Sequence, residues 1–273
     1  MIKIFFLSLI ILFSNISIAG ELLNIIFLGT GTPRPNINKL GPSILLNYNN
    51  EEILLDVGRG TTIRLNQIGN DFSKINNIYI SHLHYDHIVG LGDLWLTSNL
   101  WQKKNDTNVY GPEGIKKFCN GLLKSYDEDI GYRYKDGNYS KLKCKNFAES
   151  TEEKSSLHVK PFRNSHGYVD KSYGFIINYN NKKIVYSADT TYSENLINNY
   201  TNCDILIHEI ISVSKNIYDN NRKIQEVVAS HTSISQLIDI LKIAKPKLTI
   251  LNHALLFGVS ESDVLKTIFN EYQ

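Results

Sequence analysis

One segment constrains this chain more than any other. His82-Leu83-His84-Tyr85-Asp86-His87 directly follows the apolar, strand-like run Ile75–Ser81. Three of the eight histidines fall in these six positions. Extended backbone puts alternate residues on one face, so His82 and His84 can grip one cation. Where the chain then turns into a helix, Asp86 and His87 are displaced around the turn toward a neighbouring position. One loop thereby offers two ligands to each of two cations. Imidazole with carboxylate suits zinc, and iron or manganese also accept such a set.

Two divalent cations need more donors than one loop provides. Of the other histidines, His166, His208, His231 and His253 end or follow strand-like runs, whereas His158 reads as structural or solvated. Asp189, in Ser187-Ala188-Asp189-Thr190, has two carboxylate oxygens and can bind one ion with each. His166 can complete the first site and His253 the second. Each residue alone is also a common cap of a turn; beside a loop already calling for ligands they form a set.

The rest of the chain reads as strands then helices, twice over. Strands are predicted at Leu22–Leu28, Ser43–Tyr48 and Glu52–Asp56, the last two joined through Asn49-Asn50. Helices follow at Gly60–Ile68, Ile88–Trp101 and Gly114–Tyr126, and the polar stretch Asp127–Ser140 reads as irregular. A second hairpin of the same style is predicted from Tyr173–Tyr179 and Lys183–Ser187 around Asn180-Asn181. Buried-type strands at Asp204–Ile210 and Lys247–Leu251 precede or follow helices at Ile234–Lys242 and Glu261–Tyr272. The pattern predicts an α/β architecture of two sheets packed face to face with helices outside, a four-layer αββα sandwich in a single domain, residues 20–273.

The first nineteen residues differ. One Lys, an apolar stretch, then Ser17-Ile18-Ala19 before Gly20 fit a cleaved signal peptide over residues 1–19. The apolar run is short and interrupted by Ser14, Asn15 and Ser17, which favours cleavage over a stable membrane span. Export, to the periplasm or outside the cell, is therefore expected. Disulfides are permitted there, and Cys119 with Cys144 can either pair or remain buried thiols. A formal net charge of +2 gives no electrostatic case for a nucleic-acid partner.

The set His82, His84, Asp86, His87, His166, Asp189 and His253 resembles the metallo-β-lactamase superfamily of binuclear hydrolases. Gly29-Thr30-Gly31-Thr32-Pro33 and Leu55-Asp56-Val57-Gly58-Arg59-Gly60 are similar to the branch containing RNase Z and the zinc-dependent arylsulfatases. The resemblance implies two divalent ions, zinc foremost. The first takes His82, His84, His166 and Asp189; the second takes Asp86, His87, Asp189 and His253. It implies a metal-bridging hydroxide as nucleophile, Asp86 in the catalytic group as well as the ligand set, and Asp56 orienting a ligand by hydrogen bonding. His208-Glu209 and His231-Thr232-Ser233 resemble the His-Glu and later His elements of that branch. Glu209 would orient His231, and His231 would serve the leaving oxygen, which departs poorly unless protonated. His231 could equally cap the helix beginning near Ser233. His208 is read as structural support.

The expected reaction is hydrolysis of a phosphodiester or sulfate ester of a small molecule, arylsulfatase-like or phosphodiesterase-like. His87 and Asp189 disfavour antibiotic hydrolysis. RNase Z activity is the alternative, together with lactone or thioester hydrolysis. The tRNA-gripping arm of RNase Z is usually inserted between the residues matching His166 and Asp189, and 22 residues separate them here. Relatives commonly form homodimers, but the sequence shows no interface signature.

Overall fold

The computed structural model describes residues 3–6, 22–49, 51–147 and 157–272. Most of the expected leader lies outside the described residues. The chain divides into two compact units, Leu12–Ser156 and Leu157–Gln273, the latter joined by Met1–Ile11. They are called the N-terminal and C-terminal units below. Strand β1 (Lys3–Phe6) belongs to the C-terminal unit.

The N-terminal unit contains β2 (Asn24–Gly29), β3 (Ser43–Tyr48), β4 (Glu51–Leu55), α1 (Thr61–Gln67), β5 (Ile75–Tyr79), α2 (Tyr85–Ile88) and α3 (Leu91–Leu100). It continues through β6 (Thr107–Gly111), α4 (Ile115–Ser125), α5 (Asp127–Arg133) and β7 (Leu142–Asn146). Its sheet runs β2-β3-β4-β5-β6-β7: β2, β3 and β4 are antiparallel, and β4 through β7 are parallel. Parallel strands are buried on both faces, which explains the apolar runs of β4 and the buried Ile78 and Ile80. Leu45, Leu54, Leu65, Leu91, Trp95 and Val109 form the centre of this unit's core. The segment expected to be irregular contains α5 in its first half. Its three acidic residues, Asp127, Glu128 and Asp129, occupy the first turn and Arg133 the last, which suits the helix dipole better than polarity suggested.

Cys119 of α4 and Cys144 of β7 form a disulfide, which settles the pairing left open above. It fastens this helix to the sheet edge it packs on.

The C-terminal unit follows the same order: β8 (His158–Arg163), β9 (Tyr173–Tyr179), β10 (Lys182–Tyr186), α6 (Glu194–Tyr200), β11 (Ile205–Val213), α7 (Lys215–Asn220), α8 (Arg222–Ala229), α9 (Ile234–Ala244), β12 (Leu248–Phe257) and α10 (Glu261–Glu271). The sheet order is β1-β12-β11-β10-β9-β8, antiparallel through β8, β9 and β10 and parallel from β10 to β1. The Asn180-Asn181 turn has φ of 42° and 58° at its two residues. Two successive positive φ values make the two-residue turn whose twist matches a hairpin, and Asn tolerates them. Leu206, Ile210, Leu237, Ile240, Leu241 and Leu251 centre the core. Strands β11 and β12 run past their predicted ends, because an irregularity between His208 and Ile210 lets pairing resume from Ile210 opposite Ala254. That irregularity falls at Glu209.

Candidate metal centre

In the N-terminal unit the candidate ligands sit just beyond the end of β5. His84 is extended (φ −62°, ψ 141°) and α2 begins at the next residue. The extended stretch brings His82 Nε2 within 3.0 Å of His84 Nδ1. Two imidazole nitrogens so close, one ring buried and the other exposed, form a ready two-donor grip. One helical step later, Asp86 Oδ2 lies 3.6 Å from His87 Nε2, and both side chains are buried. The alternation and the turn expected from the sequence thus give two adjacent donor pairs.

Asp56 holds this loop. It follows β4 with φ 58°, a conformation that costs about 1–3 kcal/mol for a residue other than Gly and that Asp tolerates better than most. Its Oδ1 accepts from Ser81 N at 2.7 Å, and its Oδ2 accepts from Ser81 Oγ at 2.9 Å. Oδ2 also lies 2.9 Å from His87 Nδ1. A carboxylate there accepts a hydrogen bond from Nδ1–H, so His87 presents an unprotonated Nε2 on its other side. Asp56 is thus within hydrogen-bond reach of both Ser81 and His87. Ser81 extends the arrangement, because its hydroxyl is 3.0 Å from His82 Nδ1.

In the C-terminal unit Asp189 follows β10 and is buried. Its Oδ2 lies 3.9 Å from His166 Nε2 and its Oδ1 lies 3.4 Å from His253 Nδ1. The two carboxylate oxygens thus face different imidazoles, as a bridging ligand requires. Asp189, His231 and His253 also place one ligand atom each within 4.8 Å of one another. His166 Nδ1 donates to the Ser230 carbonyl at 2.8 Å, which fixes its tautomer and leaves Nε2 toward Asp189. Ala188 and His253 have φ of 49° and 46°, so the backbone just before Asp189 and at His253 is held in sparsely populated conformations. Clustered imidazoles and carboxylates with fixed tautomers are the donor chemistry of divalent transition metals, so the residues fit the implied ions.

Glu209 and His231 form a third element. Glu209 is fully buried, and its Oε1 lies 2.9 Å from His231 Nδ1. The same oxygen accepts from Thr190 N at 3.1 Å and Thr232 N at 3.2 Å. Burial raises the carboxyl above its ordinary range, and the adjacent His231 opposes that shift. His231 does not cap the following helix. Ser233 does so itself, in a reciprocal capping box with Gln236. His208, next along β11, donates from Nδ1 to the Glu209 carbonyl at 2.6 Å. Its ring stands 5.5 Å from that of Tyr200, and burial pushes it down to about 4, so it is neutral. It is a core histidine. His158, at the start of β8, is exposed.

Sequence reasoning missed three supports. The Thr190 and Thr232 amides and the Ser230 carbonyl are backbone groups, which every residue type offers, so no sequence signal marks them. Ser81 was findable, since it immediately precedes His82.

Comparison with known proteins places this geometry. A family model described as "Anti-Pycsar protein Apyc1" matches residues 23–251. Ribonuclease Z from Pyrococcus abyssi is 29% identical over 271 residues, covering 82% of this chain and 83% of the relative. The metallo-β-lactamase fold protein YhfI from Bacillus subtilis superposes with a TM-score of 0.71 at 19% identity, covering 91% of this chain and 92% of its own. The short form of human tRNase Z gives a TM-score of 0.66 at 22% identity over 85% and 95%. The fold is therefore that of the metallo-β-lactamases, as expected.

Proposed function

This chain belongs to the anti-Pycsar protein Apyc1 family and is a metal-dependent hydrolase of the metallo-β-lactamase superfamily, and from that premise we propose that it is a phosphodiesterase of the RNase Z type, acting on RNA. The observation that carries this reading is the Glu209–His231 pair beside Asp189 and His253. A hydrolase whose leaving group is a stabilised anion has little need of a buried, carboxylate-held imidazole. A nucleoside oxygen leaves as a strong base and needs a proton.

The ligands the resemblance assigns are His82, His84, Asp86, His87, His166, Asp189 and His253. Two divalent cations bound there, with zinc first, would supply a water that ionises near neutral pH and a positive charge for the ester's oxygens. The protein's own groups do the rest. Asp56 and the Ser230 carbonyl hold ligand imidazoles in the tautomers that bind. Glu209 holds His231 with Nδ1 protonated and stabilises the imidazolium, so Nε2 can carry a proton to the departing oxygen. Neutral His208 keeps a second positive charge away from this pair.

One observation favours a smaller substrate as a second reading. Between His166 and Asp189, a tight turn is closed by pairing of His166 with Val169, and the hairpin β9–β10 follows. These elements fill the interval, so the arm that resemblance to RNase Z places there is not built. A short nucleotide diester would need no such arm. Export remains part of the proposal, and the Cys119–Cys144 disulfide supports it, because such bonds persist in oxidising compartments.

The test is a substrate panel with zinc-loaded protein: pre-tRNA, a single-stranded oligoribonucleotide, a cyclic nucleotide, a bis-aryl phosphodiester, an aryl sulfate and a lactone. Phosphodiester turnover, lost in Asp189→Ala together with bound metal, is expected. Turnover confined to the sulfate or the lactone would overturn the reading. Cleavage of the cyclic nucleotide without either RNA would select the second reading.

A further inference from the structure

Arg59 has no role in the reading above, yet the N-terminal unit is built around its position. Its backbone is clamped: Gly41 N donates to the Arg59 carbonyl at 3.0 Å, and Gly58 N donates to Pro42 O at 2.9 Å. The neighbouring Val57 N bonds His87 O at 2.8 Å. The approach is so close that a Cβ on Gly58 would lie 2.7 Å from the Asp86 carbonyl, and one on Gly41 2.5 Å from Arg59 N. Glycine is required at both places, and the result is an arginine that directly follows the segment, Val57-Gly58, packed on the backbone of His87 and Asp86.

The side chain is equally specific. Arg59 Cζ lies 5.9 Å from the centre of the Tyr85 ring, within reach of a cation–π contact. Tyr85 separates His84 from Asp86, and its hydroxyl donates to Pro33 O at 3.0 Å, so the ring is tethered at its far end. The ring is nonetheless 53% exposed. No carboxylate pairs with Arg59 among the described residues. A half-buried guanidinium normally recruits one, because its five N–H donors need acceptors. Here the guanidinium instead lies over an aromatic ring that sits between His84 and Asp86.

We propose that Arg59, positioned by Tyr85, is the anion-recognition group of this site: it grips a non-bridging oxygen of the phosphodiester and selects anionic esters over neutral ones. This rests on the phosphodiesterase reading. The chemistry matches, since a phosphodiester keeps one negative charge on two non-bridging oxygens, which the guanidinium fork engages and a carboxylic ester cannot offer. Tyr85 is a positioning residue, and its exposed face is also a surface on which a base or aryl ring can stack.

Binding separates this proposal from the reading it rests on. Adenosine monophosphate and adenosine are titrated calorimetrically into zinc-loaded wild type, Arg59→Gln, Arg59→Lys and Tyr85→Ala. A charged hydrogen bond is worth about 10- to 100-fold in affinity. Arg59→Gln should lose that on the monophosphate and nothing on adenosine, with zinc content and melting temperature unchanged. Arg59→Lys keeps the charge without the fork and should recover part of the loss; Tyr85→Ala should lose less than Arg59→Gln. In turnover, Arg59→Gln should raise KM for a bis-aryl phosphodiester and leave an aryl acetate unaffected. Equal monophosphate affinity in wild type and Arg59→Gln, or equal losses on both ligands, would overturn the proposal. Arg59-dependent monophosphate binding in a protein that turns over no phosphodiester would uphold Arg59 as the anion group and overturn the function proposed above.

Discussion

Replacing Glu209 by Gln removes a charge and keeps a shape. Oε1 accepts three hydrogen bonds, from His231 Nδ1, Thr190 N and Thr232 N, all of which an amide oxygen can also accept. The amide nitrogen would take the place of Oε2, which has no hydrogen-bond partner. What disappears is the anion beside His231. A hydrogen bond to a charged group contributes about 1.5–3 kcal/mol and a neutral one about 0.5–1.5, so the imidazolium loses roughly 1–2 kcal/mol of stabilisation. If His231 delivers the proton to the leaving oxygen, kcat should fall about 5- to 30-fold for a nucleoside or alkyl leaving group. For a nitrophenolate, which leaves without a proton, the fall should stay within about 3-fold. Melting temperature and zinc content should be near wild type. Glu209→Ala differs, because three buried donors lose their acceptor, at about 1 kcal/mol or more each. It should unfold several degrees earlier. The assay is steady-state turnover of two phosphodiesters that differ only in leaving group, with zinc measured on the same samples. Equal losses on both, zinc unchanged, would refute the proton-delivery role and leave Glu209 a structural group.

Three further outcomes are expected. Asp56→Asn should weaken zinc binding about 10- to 100-fold in competition with a chelator, because an amide cannot serve both Ser81 and His87 as the carboxylate does; unchanged affinity would remove Asp56 from the site. Replacing Cys119 and Cys144 by Ser opens a loop of 25 residues, which on chain-entropy grounds costs about 3.5 kcal/mol. Melting should drop by roughly 10 °C, and mass spectrometry after alkylation should find the pair bonded in the native protein. His208 is held at about 4 when folded against an ordinary 6.5, so the unfolded chain takes a proton that the folded one refuses. Its contribution is complete above about pH 6.5 and is lost as pH falls toward 4, about 2 kcal/mol of it by pH 5. His208→Asn should flatten melting temperature against pH in that window, and an unchanged slope would show the charge lies elsewhere.

The metal loop was legible because its information is local. The strand Ile75–Tyr79 and the spacing His82, His84, Asp86, His87 fix which side chains share a face, whatever the rest of the chain does. The Asn180-Asn181 hairpin was legible for the same reason, since an Asn pair tolerates the positive φ that its turn needs. Helix α5 was missed because its polar side chains hide a charge order that suits a helix end to end.

Sequence by itself determined which donor groups this protein carries: an imidazole and carboxylate set of one kind, at strand ends, with Glu209 and His231 beside it. Tertiary structure decided the jobs within it. It gave His231 to Glu209 and the helix cap to Ser233, assigned each Asp189 oxygen to a different histidine, and left His208 neutral in the core. It also put Arg59 against Tyr85 across 26 residues of chain. The physical reason is that residue type sets what a group can donate or accept, while its partner, tautomer and burial are set by residues distant in sequence. Some of those partners are backbone groups, the Thr190 and Thr232 amides and the Ser230 carbonyl, which are the same at every position and leave no mark in a sequence.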